Sequence, residues 1–423
     1  MHSPSIGDIF GDIFGNLFGD IFGNLFGNLL APVTPPRTTC HRLALGLVLA
    51  LGTGQLSCGG ELPIAERIAT TRVLALRSEV VAPLPMTNND PALGSRCEAL
   101  PFEGVQLTPW IATPTGPLDL TGPDYDPVWI ACNLGPGQGL FACLKAAVPL
   151  ELADIPICPV PSFADLMGSS LPEPPSPCIL PPDGSDDGKQ NFTVPFASAL
   201  LIGGDLEITL ISRSPGSRST AECAQPLLAG DSQLPDDCLY VVQRVSVGPI
   251  EQLLAFAAGF GVMLPPELGE PPPPDQIPDA DRNPRILDFT VTRITADGKP
   301  IELGPQPRGA VIKLELGDTL KISTTAPEAD LQDFQVPVNG GAGGSQTQTE
   351  GLDGAWFRTW GTLLANGSDD VMSINEWTLS PGGQDEQDTP PDDRATLYYV
   401  LRDSRLGVDW WWISVAVTPD PAP

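Results

Sequence analysis

The sequence predicts an all-β protein built from two immunoglobulin-like β-sandwich domains, and three observations carry that reading. Apolar residues alternate over short runs, the runs end at Pro, Gly, Asn or Asp, and an acidic proline-rich stretch divides them into two groups. Alternation marks a strand with one buried face, and two such sheets facing one another bury both apolar faces at once. The 44 Gly and 49 Pro among 423 residues supply turns while staying under the roughly 25–30% level at which disorder becomes the default.

The first group holds Thr71–Val81 (TRVLALRSEVV), Gly104–Ala112, Pro127–Leu134, Asn191–Phe196, Asp205–Ser212 and Cys238–Val247, a first sandwich over residues 71–248. Long insertions at Gly135–Gln190 and Pro215–Asp237 interrupt it, and their composition suggests loops that bury little apolar surface. Residues 249–283 change character: PIEQLLAFAAGF reads as one short helix, and PPELGEPPPPDQIPDADRNP as a linker. The second group is Arg285–Arg293, Val311–Leu316, Thr319–Thr324, Ala355–Leu364, Ser373–Leu379, Ala395–Arg402 and Val408–Thr418, a second sandwich over residues 284–418. Val338–Gly351 reads as a loop and residues 419–423 as a tail. Ala395–Thr418 is the clearest hairpin, turning at DSRLG with Gly407 placed for a left-handed conformation.

Residues 7–30 repeat GDIF or GNLF-like tetrapeptides. A four-residue repeat advances about 40° per unit on a helix of 3.6 residues per turn, so its apolar stripe wanders and no membrane-lying helix results. Residues 1–33 therefore read as a tandem DNA repeat translated from upstream of the true start, with Leu30 or Val33 as the initiator. Residues 34–57 read as an export signal: Arg37 and Arg42 precede LALGLVLALGTGQLSCGG, an apolar stretch too short to span a bilayer that ends in small residues before Cys58. The ending resembles a bacterial lipoprotein signal, with Gln55 where such signals usually carry Leu. Cys58 is then the lipidated first residue of the mature chain, and residues 58–70 tether it. Gly59 stands where a retention signal would carry Asp, which by the same resemblance implies the outer membrane.

A formal net charge of −30 repels polyanions and disfavours nucleic-acid binding and electrostatic adhesion to anionic lipid. The two histidines, His2 and His41, both precede Cys58, so the processed chain holds no Ser-His-Asp or Cys-His nucleophile and no His-ligated metal. Seven cysteines follow Cys58: Cys97, Cys132, Cys143, Cys158, Cys178, Cys223 and Cys238. In an exported chain they form a disulfide framework with one thiol left over, and sequence alone does not fix its connectivity. The preferred pairing is Cys132 with Cys143, Cys158 with Cys178 and Cys223 with Cys238. No C-x-x-C spacing supports a metal cluster, and NGGAGGSQ at Asn339–Gln346 lacks the Lys of a phosphate loop, so no cofactor is expected.

Three groups of residues invite a functional reading. Trp410 and Trp412 share one strand face with Ser414 and Ala416, opposite Trp411, Ile413, Val415 and Val417. The pair is a candidate glycan platform, with packing under a loop or a preceding domain as the stronger reading. Asp183, Ser185 and Asp187 in DGSDDG follow the opening of a calcium loop, but the closing acid is replaced by Val194. Asp279, Asp281 and Asn283 in DADRNP offer three oxygen side chains at the linker; at both sites a solvated acidic turn outweighs calcium. A carboxylate pair for glycoside hydrolysis has many acids to draw on, and nothing in the sequence nominates two of them.

The blocks TRVLALRSE, VWIAC (Val128–Cys132), DRNPRILDF (Asp281–Phe289), AWFRTWGTL (Ala355–Leu363), NEWTLSP (Asn375–Pro381) and YYVLRDSRLGVDWWWISVAV (Tyr398–Val417) occur in that order. Together they resemble a family of predicted lipoproteins abundant in myxobacteria and their relatives, built from tandem immunoglobulin-like or PKD-like domains. The resemblance implies an envelope location and a β-sandwich architecture, and no reaction. The expected function is a non-enzymatic, lipid-anchored envelope protein that binds a surface protein or a glycan. The alternative is a hydrolase using Asp and Glu alone.

Overall fold

The computed structural model describes residues 66–418, except 86, 88–89, 122–123, 136–137, 145–149, 162–172, 185–187, 202–203, 217, 232, 260–272, 274–276, 338–344 and 383–385. The repeat, the export signal and Cys58 lie outside the described residues. Ala65–Phe334 and Gln348–Pro423 fall in one compact unit. The protein is mostly β-sheet, as its alternation and turn spacing predict.

In the first half, β1 (Arg72–Ala82), β2 (Gly104–Thr113) and β3 (Gly116–Leu118) form an antiparallel sheet, and β6 (Gln190–Thr193) also pairs with β2. A second sheet runs β5 (Cys178–Ile179), β4 (Val128–Leu134), β7 (Asp205–Arg213) and β8 (Cys238–Ser246). The two share a core: Leu76, Val105, Leu107 and Ile111 from the first meet Trp129, Ile208, Leu210 and Val245 from the second.

The second half has two five-stranded sheets. One runs β10 (Pro300–Pro305), β9 (Asp288–Ile294), β12 (Thr319–Thr325), β18 (Met372–Thr378) and β16 (Thr362–Leu363). The other runs β11 (Ala310–Glu315), β20 (Val408–Thr418), β19 (Arg394–Asp403), β15 (Leu352–Arg358) and β17 (Gly367–Ser368), with β11 parallel to β20. Their shared core is aromatic: Phe289 and Trp377 from one sheet meet Trp356, Tyr399 and Trp411 from the other, with aliphatic Val291, Leu320, Ile413 and Val415 around them. The indoles also satisfy their polar ends, Trp356 Nε1 donating to Ser373 Oγ at 3.1 Å and Trp377 Nε1 to the Trp360 carbonyl at 2.8 Å.

The halves do not hang apart on a linker. Leu74, Ala75, Trp110 and Ala112 of β1 and β2 pack on Tyr398, Val400, Val408 and Trp410 of β19 and β20, forming a further core. Two sheets are thus covered on both faces, and their central strands β7 and β19 are accordingly apolar or buried almost throughout rather than alternating.

The insertions depart from expectation. Thr220–Leu228 is a helix, α2 (α1 being Ser198–Leu201), opened by a capping box in which the Ser219 hydroxyl accepts from the Glu222 N–H and Glu222 accepts from the Ser219 N–H. Its Cys223, Ala224, Leu227 and Leu228 join Leu144 and Ile155 in covering the outer face of β4 and β7, so the insertions bury an apolar core where little was expected. The expected helix near the linker is present as α3 (Ile250–Gly259). Part of the expected 338–351 loop is instead β14 (Ser345–Thr349), paired with β13 (Asp333–Pro337); SQTQT has β-tolerant residues without the alternation that would reveal a strand. In the β19–β20 turn the left-handed residue is Leu406, at φ 88°, and not Gly407. Gly407 is required by crowding, because a Cβ there would meet the Asp403 carboxylate and lie 3.0 Å from the Arg282 carbonyl.

All three preferred disulfides are present, Cys132–Cys143, Cys158–Cys178 and Cys223–Cys238, with Cα separations of 6.1, 4.9 and 5.7 Å. Cys97 is the buried thiol left over. The Cys158–Cys178 bridge closes a 20-residue separation. Replacing both cysteines by Ala is expected to cost about 3 kcal/mol, read as a lower urea midpoint, and reduction of the parent, which opens all three bridges, should lower it further. Arg96 and Glu103, both fully inaccessible, form a two-pronged pair at 3.0 and 2.9 Å, and Glu103 also accepts from the Leu84 and Leu100 N–H groups. Removing one partner strands the other charge in the interior, so Glu103→Ala should lower stability by about 3–5 kcal/mol in the same measurement.

Candidate functional site

The segment Asp281–Arg282–Asn283 runs through the junction as a buried strap. The Asn283 N–H donates to the Ser95 carbonyl at 2.8 Å, and the Cys97 N–H donates to the Asp281 carbonyl at 3.0 Å. The Asn283 amide donates to the Ser78 carbonyl and accepts from the Val408 N–H, both at 2.8 Å, so one side chain ties β1 to the start of β20. Pro284 has no N–H to satisfy, which suits a chain leaving such a crowded channel.

The strap carries the Asp281 carboxylate into contact with two acids far away in sequence. Asp281, Glu350 and Asp403 are all buried, and each brings one oxygen to within 4.8 Å of the others. Glu350 precedes β15, where its carboxylate accepts from the Gln332 N–H at 3.1 Å. Asp403 ends β19, and its Oδ1 accepts from the N–H groups of Arg405 and Gly407, both at 2.8 Å. Among the described residues the buried Asp403 Oδ2 has no hydrogen-bond partner. Asp281 Oδ1 accepts from the Arg282 N–H at 2.8 Å, and the Cys97 thiol donates to Oδ2 at 3.1 Å.

Arg405 is the cation among them. It reaches Glu98 at 2.7 Å, Glu350 at 3.1 Å and Asp281 at 3.8 Å, while its guanidinium lies 5.3 Å from the centre of the Phe334 ring. Burial works against its charge, but Glu98, Asp281 and Glu350 outweigh burial and hold it above the ordinary guanidinium range. Burial, reinforced by the charge of Asp403, pushes the Asp281 carboxyl up to about 9. Burial raises Asp403 to about 6 against the backbone N–H groups that favour its charged form, and raises Glu98 despite Arg405. Burial and then the Asp281 charge raise the Cys97 thiol well above its usual value, so it persists as a neutral donor.

Such a group can hold protons or a hard cation. Hydrolysis of a polymer is a poor match, because Asp281 and the Glu350 side chain have no accessible surface from which to reach a substrate.

The residues singled out from the sequence fall into place separately. Of the linker trio, Asp281 joins the cluster, Asn283 serves the backbone and Asp279 is exposed, so the three do not share one site. Asp183 accepts from the Asn191 backbone and side-chain amides at 2.8 and 2.7 Å; Ser185 and Asp187 lie outside the described residues. Trp410, 9% exposed, stacks on Trp110 with centroids 5.4 Å apart and an interplanar angle of 11°, and Trp412 tilts against the same indole at 6.1 Å. A sugar would have to displace Trp110 to reach the Trp410 face. Glu350 and Asp403 are not among the residues the sequence nominates; the one local signal is a short acid ahead of Gly407 in a tight turn, which resembles many ordinary turns.

No protein-family model matches the chain, and no curated protein matches it. Among solved structures it is similar to dimeric latent PorU from Porphyromonas gingivalis, at 10% identity and a TM-score of 0.19, over 84% of this chain and 25% of that one. It is also similar to domains 4 and 5 of the S-layer protein SbsC, at 7% identity and a TM-score of 0.14, over 82% of this chain and 99% of that one. The chain spans a quarter of the PorU length. Likenesses this loose carry no argument about function.

Asp281 and Asp403 hold their protons more tightly folded than unfolded, where the usual value is 3.8. Their contribution to stability is therefore complete below about pH 4 and is lost as pH rises through about 6 and then about 9. In chelator-containing buffer the Tm should fall between pH 5 and pH 9. Asp281→Asn, neutral throughout, should flatten the upper part of that decline.

Proposed function

We propose that this protein is a non-enzymatic, lipid-anchored component of the outer cell envelope. In this reading it is built from two immunoglobulin-like sandwiches, and its stapled loops bind another surface protein. The observation that carries it is the set of three disulfides, a chemistry of chains that mature outside the reducing cytosol. The leader ending at Cys58 supplies the route and the anchor. Among the described residues no helix is long and apolar enough to cross a membrane.

The binding role draws on the surface of the first half. Ile157 and Val160, beside the Cys158–Cys178 bridge, are 58% and 69% exposed, and Leu140, beside the Cys132–Cys143 bridge, is 51% exposed. Apolar side chains held outward on covalently fixed loops lose little conformational freedom when a partner covers them. The convergent acids favour this reading over the hydrolase, since they lie under Arg405 and away from solvent. The stacking of Trp410 on Trp110 likewise favours a protein partner over a glycan.

The test begins with the anchor. Expressed in a Gram-negative host with labelled palmitate, the chain should carry label and partition with membranes, and Cys58→Ser should abolish both. An unlabelled native chain whose intact mass still includes His41 would refute the proposal.

A further inference from the structure

We propose that Asp281, Glu350 and Asp403 form a binding site for a hard divalent cation of the calcium class, placed where the two halves of the protein meet. The first observation is convergence: three buried carboxylates, drawn from segments more than 50 residues apart in sequence, bring oxygens to within 4.8 Å of one another. Calcium–oxygen distances of about 2.3–2.6 Å put opposing ligands about 4.6–5.2 Å apart, so these oxygens fit around one such ion.

The second observation is the oxygen left over. Asp403 is only 8% exposed, both backbone N–H groups of its turn go to Oδ1, and among the described residues the buried Oδ2 has no hydrogen-bond partner. A buried carboxylate oxygen in that condition lacks the interaction that offsets its desolvation, and a cation supplies it.

Charge points the same way. Glu98, Asp281, Glu350 and Asp403 place four carboxylates around the guanidinium of Arg405, whose ion pairs go to Glu98, Glu350 and Asp281, while Arg96 acts on Glu98 and is itself paired with Glu103. A divalent ion beside Asp403 would neutralise most of the remaining excess. The carboxylates of Asp281 and Glu350 each accept hydrogen bonds already, and their remaining lone pairs are the ones available to the ion. Oxygen ligands without nitrogen select calcium or a similar ion over zinc or copper.

The proposal is tested on the full chain with calcium chloride as the probe. Equilibrium dialysis at neutral pH should find one calcium bound per chain, and saturating calcium should raise the Tm by on the order of 5 °C relative to EGTA. Asp403→Asn, which keeps shape but removes the charge, should weaken binding at least about tenfold and erase the shift. If that variant does not fold, Glu350→Gln should show the same loss. Failure of the folded parent to bind calcium would overturn the proposal, as would equal binding by either folded variant. A parent stabilised only by lowering the pH, with or without calcium, would assign the cluster to protons and overturn it equally.

Discussion

The structure depends on a charged strap being buried where an apolar one would be easier to place. Asp281, Arg282 and Asn283 are 0%, 7% and 1% exposed, threaded between residues 95–98 and the start of β20. Taking ions out of water costs several kcal/mol each, and the cost is offset only where hydrogen bonds and opposite charges replace the lost hydration. The surroundings provide them in detail: Arg282 donates to the Gly94 carbonyl at 2.9 Å, Asn283 makes backbone-like bonds on both sides, and Arg405 gathers the acids. Once that replacement is complete, β1 and β2 are positioned against β19 and β20, and Trp110 can stack on Trp410. The apolar core at the junction and the polar strap are therefore one cooperative unit, since neither can form with its partners displaced.

Layering has a consequence for the first half. Its sheet of β5, β4, β7 and β8 has two apolar faces, one meeting β1 and β2 and the other needing a cover. Among the described residues the cover is the helix α2, a 3-10 turn at Leu152–Asp154 and irregular segments around Leu144 and Ile155, the last of which have little regular hydrogen bonding to hold them in place. Two of the three disulfides join these segments to strands: Cys143 to β4 through Cys132, and α2 to β8 through Cys223 and Cys238. The third fixes the outer loop at Cys158 to β5. Cross-links between cover and sheet limit how far the cover can move in the unfolded chain, and so lower the entropy that folding must overcome.

Much of this was legible wherever one local rule decided the outcome. Period-two alternation placed Trp411, Ile413, Val415 and Val417 on one face of β20 and Trp410 and Trp412 on the other, and the two cores divide them in that way. Nearest-neighbour cysteines paired because each pair sits on adjoining elements. Local rules failed where tertiary context decides. DADRNP has the composition of a solvated turn, and nothing within it reveals that distant Ser78, Ser95 and Val408 will enclose it. The Ser219–Glu222 capping box was written in the chain, but Pro226 within the helix disguised the rest. Glu350 and Asp403 belong together only because β15 pairs with β19, which puts Leu352 opposite Asp403.

The chemistry of the junction also separates two roles that buried charges are often given together. If stability alone governed this contact, aliphatic side chains in place of Asp281, Glu350 and Asp403 would serve at least as well, because well-packed replacements of buried ion groups are frequently neutral or stabilising. A cluster in which four carboxylates gather around Arg405 behaves differently: its closed form is favoured only as far as something positive accompanies the acids. Among the described residues that partner is Arg405, which already serves Glu98, Glu350 and Asp281, while Asp403 Oδ2 has no hydrogen-bond partner there. Protons and divalent ions are the positive species that best match several carboxylates held this close, the first by neutralising them and the second by its double charge. Both come from the medium, so the contact between the halves responds to the composition of the surroundings in a way an apolar contact would not.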